Sequence, residues 1–93
     1  MRFDLQDGFK NDRVELYVNG VKVFDEEGVT TRRQLGFALS SEIDVPAGPL
    51  ELEIRIPTRQ LSKTISVDTP NIGISIRNGA IEVITSGKRF GYA

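Results

Sequence analysis

Residues able to do chemistry are few in this chain. It has no histidine and no cysteine, so the side chain that titrates nearest neutrality and the best nucleophile are both missing. Carboxylates remain. Asp25-Glu26-Glu27 and Glu51/Glu53 set acids beside one another or two residues apart, as a glycosidase pair would require. Glu51 and Glu53, however, alternate with Leu50, Leu52 and Ile54, which places both acids on the wet face of a half-buried strand. Asp25-Glu26-Glu27-Gly28 reads as a polar loop after a strand. The expectation is a protein that is not an enzyme.

Oxygen ligands for calcium occur in Asp7-Gly8-Phe9-Lys10-Asn11-Asp12, with Asp68 and Asn71 further on. The spacing lacks the alternate acids and closing Glu of an EF-hand loop, and turns call for the same residue types. No metal and no cofactor is expected. Thr30-Thr31-Arg32-Arg33-Gln34 is the local basic patch, and Arg55, Arg59 and Lys63 lie on or near the central strands. Converging arginines would offer planar forks of donors to a carboxylate or phosphate. The competing reading is charge that keeps strand faces soluble and edges unpaired. The tail Gly87-Lys88-Arg89-Phe90-Gly91-Tyr92-Ala93 holds two aromatic residues that either pack back on the domain or face a partner. A sugar-stacking platform would have to come from Tyr17, Phe24 or Tyr92, since there is no tryptophan.

The elements that must position these residues are strands. Val14, Leu16 and Val18 alternate with polar neighbours, as do Leu50, Leu52, Ile54 and Ile56, and Ile72, Ile74 and Ile76. Each is a period-two run with one buried face. Asn19-Gly20 and Asn78-Gly79 suit two-residue type I′ turns, which need positive φ at both central positions. Such turns join Val14–Val18 to Val21–Asp25 and Ile72–Arg77 to Ala80–Ser86. The implied register pairs Val18 with Val21, Leu16 with Val23, Ile76 with Ile81 and Ile74 with Val83, apolar against apolar. Phe3 and Leu5 share a face in a short opening strand, another strand ends at Val45, and Pro57 closes Leu50–Ile56. In Leu61–Val67, Lys63 is the odd polar residue on the inward side. Thr31 to Leu39 has room for one short helical turn. The predicted core is Leu16, Val18, Val23, Ile43, Val45, Leu52, Ile54, Ile65, Val67, Ile74, Ile76, Ile81 and Val83.

These strands predict a single all-β domain over residues 1–93, a two-sheet antiparallel sandwich of seven to eight strands with immunoglobulin-like or transthyretin-like topology. The absence of a Cys-Trp-Cys constellation excludes a true antibody-type domain. Twelve basic against thirteen acidic side chains argue against nucleic acid as a partner. No apolar run approaches a membrane span and the start carries no leader-like apolar stretch. With no cysteine for disulfides, a soluble cytoplasmic protein is expected.

Val14-Glu15-Leu16-Tyr17-Val18-Asn19-Gly20-Val21-Lys22-Val23, then Val29-Thr30-Thr31, then Val45-Pro46-Ala47-Gly48-Pro49-Leu50-Glu51-Leu52-Glu53-Ile54 resembles the rhythm of carboxypeptidase-regulatory-like and PEGA-type sandwich domains. Pro57-Thr58-Arg59 stands where PEGA domains carry Gly-Tyr. The chain as a whole is similar to short bacterial proteins ending near Phe-Gly-Tyr. The resemblance implies an accessory, spacing or binding role.

The closing strand Ala80–Ser86 carries one charge, Glu82, and sets Ile81, Val83 and Ile84 nearly in succession. An exposed edge of that kind either pairs with a neighbour or is covered. The expected function is therefore binding to another protein or to a second copy, forming a homo-oligomer, with sugar binding as the alternative. Ile84, Phe90 and Tyr92 are the candidate contact or cover residues, and the Arg32/Arg33 loop is the next surface.

Overall fold

Alternation and Asn-Gly turns produce the strands they imply, except that the strand expected to end at Val45 stops at Glu42. The computed structural model describes residues 1–32, 34–46 and 48–91. Among the described residues the strands are β1 (Arg2–Leu5), β2 (Asp12–Val18), β3 (Val21–Val29), β4 (Leu39–Glu42), β5 (Leu50–Ile56), β6 (Leu61–Val67), β7 (Asn71–Arg77) and β8 (Ala80–Ser86). They form two four-stranded sheets, ordered β4-β1-β7-β8 and β3-β2-β5-β6. The chain is thus an all-β two-sheet sandwich. No helix among the described residues is long and apolar enough to cross a membrane.

One pairing departs from the antiparallel expectation: β1 runs parallel to β7. After β4 has paired antiparallel with β1, the chain crosses to β5 and β6 and comes back through the Asp68–Pro70 turn at the end where β1 begins, with Arg2 N donating to Pro70 O at 2.8 Å. Both strands therefore start from the same end. Because β1 and β2 lie in different sheets, the order also departs from the constant-type immunoglobulin one, whose first two strands are neighbours.

Inward rows of both sheets make the core. Leu16, Val18, Leu52, Ile54, Val67, Ile74, Ile76 and Ile81 are buried as predicted, while Val23, Ile43, Val45, Ile65 and Val83 pack partly buried at its margin. Phe9 and Val29 are buried too, although neither belongs to an alternating run. Loop contacts hold Phe9 in: its N–H donates to Thr31 Oγ1 at 3.1 Å, and Thr31 Oγ1 donates to Gln6 O at 2.8 Å.

Both hairpins are type I′, with φ of 50° and 84° at Asn19 and Gly20 and 53° and 74° at Asn78 and Gly79. In β7/β8 the register is as predicted, Ile76 facing Ile81 and Ile74 facing Val83. In β2/β3 Val18 faces Val21, but Leu16 faces Phe24 and not Val23. A bulge adds one residue to β3, and one extra residue exchanges the faces of all that follow. Phe24 is thereby turned inward, its ring edge-on to Phe3 with centroids 4.8 Å apart. A second shift lies between Asp12 and Val14, and β3 continues to Val29, so Asp25-Glu26-Glu27 is strand rather than loop. Helical character is found at Pro57–Arg59, a short 3-10 turn. Between Thr31 and Leu39 the described residues make a single turn, Leu35 N and Gly36 N donating to Arg32 O at 3.0 Å, closed by an Arg32↔Phe37 bridge.

Candidate functional site

Each sheet has two edge strands, and the four are guarded differently. β4 has only four residues, too few to template a long pairing. β3 is bent by two bulges and laced with charge. Arg13 donates to Asp25 through Nε at 3.0 Å and Nη2 at 2.8 Å, and Lys22 donates to Asp25 at 3.0 Å and to Glu15 at 3.1 Å. Hydrogen bonds from Arg13 and then Lys22 hold the Asp25 carboxyl down at about 2. On β6, Lys63 stands opposite Ile54, an inward-pointing charge at an edge. Its Nζ reaches across the gap between the sheets to Ile81 O at 3.4 Å.

β8 is the open one. Arg77 and Ala80 flank a two-residue turn and form a hydrogen-bonded pair, so by alternation Ser75–Glu82, Gly73–Ile84 and Asn71–Ser86 do as well. The backbone groups of Ile81, Val83 and Thr85 consequently point away from β7. Lys63 takes Ile81 O; among the described residues nothing pairs with the outward groups of Val83 and Thr85. Between them Ile84 stands on the outer face, 45% exposed. Val21 and Leu35 are exposed as well, but Leu35 lies in a loop, and Val21 opens β3 at its hairpin tip, next to Lys22 and the ion pairs that guard that edge.

The tail does not close this edge as far as it is described. Arg89 Nη2 reaches Glu42 Oε1 at 3.4 Å, and Glu42 lies on β4 at the opposite side of the sheet. Gly87 to Arg89 therefore lead away from β8, and Phe90 is half-buried. Tyr92 lies outside the described residues, as does Arg33. Arg32 is exposed on its loop, where its carbonyl accepts from Leu35 and Gly36.

The chain matches no protein-family model, no curated protein and no solved structure.

The remaining candidates are absorbed by the fold. Arg59, Arg55 and Lys63 do not assemble one anion site. Arg59 donates to Asp12 at 3.0 and 2.9 Å and to Gly8 O at 2.9 Å. Arg55 pairs with Glu53 at 2.8 Å and lies 4.4 Å from the Tyr17 ring centroid. With Tyr17 under a guanidinium and Phe24 against Phe3, these two rings form no open platform for a sugar. Asp12 is buried and also accepts from Thr58 Oγ1 at 2.7 Å and Lys10 N at 2.8 Å. Burial pushes its carboxyl up, but the hydrogen bonds from Arg59, Lys10 and Thr58, with the Arg59 charge, outweigh it and leave it lowered. Its segment cannot share an ion with Asn71. Arg2 pairs with Asn71 while Ile76 N donates to Asp7 O, putting the two segments five residues apart along β7, roughly 16 Å.

Sequence reasoning picked out Ile84 and the oddity of Lys63. It missed the salt-bridged guarding of β3, whose signal was present: three consecutive acids directly after an apolar alternation, with Arg13 and Lys22 nearby.

Proposed function

We propose that this domain is a non-enzymatic interaction module that works by edge-to-edge strand pairing through β8, its partner a second copy of the chain. The observation that carries the reading is Ile84, an exposed isoleucine centred on an uncharged, unpaired stretch of edge. Antiparallel pairing about a two-fold axis makes the strand its own partner, so the register must satisfy the strand against itself. An axis at Glu82 would oppose two carboxylates, which is unfavourable. An axis at Val83 would set Glu82 against Ile84. With the axis at Ile84, Val83 of one copy exchanges backbone hydrogen bonds with Thr85 of the other and Glu82 faces Ser86. The two Ile84 side chains then meet in a non-hydrogen-bonded pair, the closer kind. Burying an exposed Ile contributes about 1.5–3 kcal/mol at most, and one short strand pairing lies below the roughly 1,200 Å² of a stable interface. Association through this edge is therefore weak and concentration-dependent. The carboxylates held by arginines and the accessory or binding role implied by the family resemblance support the same reading.

The chain has no cysteine, so single cysteines report cleanly. In the proposed register two Ile84→Cys residues stand about 4.5 Å apart at Cα, inside the roughly 4.4–6.8 Å span of a disulfide. Mild oxidation should give covalent dimers from Ile84→Cys and far fewer from Val83→Cys. Ile84→Lys should sediment as a monomer at concentrations where the parent dimerises. A parent that stays monomeric at every concentration, with no Ile84→Cys dimer, would overturn the proposal.

A further inference from the structure

The two Asn-Gly turns are the same dipeptide in the same turn type, yet they are held differently. Asn19 is clamped to β5: its N–H donates to Glu51 O at 2.9 Å and its Oδ1 accepts from Glu51 N at 2.9 Å. Asn78 is exposed and its side chain makes no hydrogen bond among the described residues. Neither Gly20 nor Gly79 has an atom within 4 Å of where a Cβ would stand, so nothing shields either peptide bond.

From this difference we infer that Asn78 is a site of spontaneous deamidation and that Asn19 is protected by its clamp. Asparagine is a chemically labile residue, and glycine offers the least hindrance to approach at its backbone nitrogen. In the first step the Gly79 nitrogen, giving up its proton, attacks the Asn78 side-chain carbonyl carbon. A carbon–nitrogen bond forms, the bond to the side-chain nitrogen breaks, and ammonia leaves with the proton, giving a five-membered succinimide. Water then opens the ring at either carbonyl, yielding aspartate or isoaspartate. The reaction needs the side chain to swing onto the following nitrogen. At Asn19 that swing costs the bond to Glu51; at Asn78 it costs none.

The consequence falls on β8, which begins at Ala80 directly after the turn. Isoaspartate carries the chain through an extra methylene and no longer fits the I′ geometry that pairs Arg77 with Ala80. Aspartate keeps the chain length and adds a negative charge beside Arg77, the residue that pairs with Ala80 at the start of β8. The site thus links the age of the molecule to the register of its closing strand, whatever β8 binds.

The test is a time course in mildly alkaline buffer on the intact folded protein, followed by digestion at acid pH and mass spectrometry of the two turn peptides. Conversion at Asn78 should run at least about fivefold faster than at Asn19, the factor that one net hydrogen bond is worth. In denaturant the two rates should converge, because only the fold distinguishes the sites. Equal rates in the folded protein, faster conversion of Asn19, or no conversion of Asn78 over a period that converts it in denaturant would each overturn the inference. A rate difference that persists in denaturant would assign it to flanking sequence and overturn the role of the clamp.

Discussion

β3 and β8 are both edge strands, one in each sheet, and they manage the same exposed ladder in opposite ways. β3 has bulges that bend it and a set of ion pairs, Arg13 with Asp25 and Glu27 and Lys22 with Glu15 and Asp25, that fix charge along it. β8 is regular over its whole length, its single charge, Glu82, is paired with Arg77, and among the described residues its only shield at the backbone is Lys63, borrowed from the other sheet. An incoming strand at β3 would have to break ion pairs and follow a bent template. At β8 it would find straight, neutral backbone beyond Ile81. The contrast teaches that openness here is local: it is confined to three residues, Val83 to Thr85.

The largest effect should come from the core that both edges share. Ile54 is fully buried between Leu16 of β2 and Lys63 of β6. Ile54→Ala should cost about 2–5 kcal/mol in chemical denaturation, and hydrogen exchange should rise at β3 and β8 together. Loosening confined to β3 would break the comparison, showing that the sheets open independently.

A smaller loss is expected at the buried anchor of β2. Arg59→Ala removes charged hydrogen bonds to Asp12 and should destabilise by roughly 1–3 kcal/mol, discounted because Arg59 is about a third exposed. The Asp12 carboxyl is lowered in the folded protein from its ordinary 3.8. Its contribution is therefore complete above that value and is lost as pH falls through the lower folded one. Acid titration of stability should show this loss in the parent and show less of it in Arg59→Ala. Asp25 is held down at about 2, so its pairing with Arg13 and Lys22 should persist as pH falls toward that value. An acid-induced association blocked by mutating β3 rather than β8 would reverse the assignment of the open edge.

The least change in stability, and the sharpest in behaviour, is expected from Lys63→Val. It removes the ammonium over Ile81 O and extends the free edge by one backbone position. Melting should move little, while light scattering should report association or aggregation at lower concentration than the parent. Unchanged scattering would mean that Lys63 does not guard the edge.

What could be read from the sequence was short-range. Period-two alternation gave the strands, since a half-buried strand needs nothing beyond its own pattern. Asn-Gly gave the turn type and with it the β7/β8 register, because a two-residue turn leaves the flanking strands one way to pair. Ile84 was legible for the same reason: it breaks the alternation of its own strand. The tertiary structure decided what depended on distant partners. Phe24 faces inward because a bulge lets its ring meet Phe3, and Asp12 is an anchor because Arg59, 47 residues away, folds onto it. Lys63 looked like an interruption until β8 came alongside. That β8 became an edge of its sheet followed from the parallel return of β7 to β1, a choice made by the packing of whole sheets and by no single run of residues.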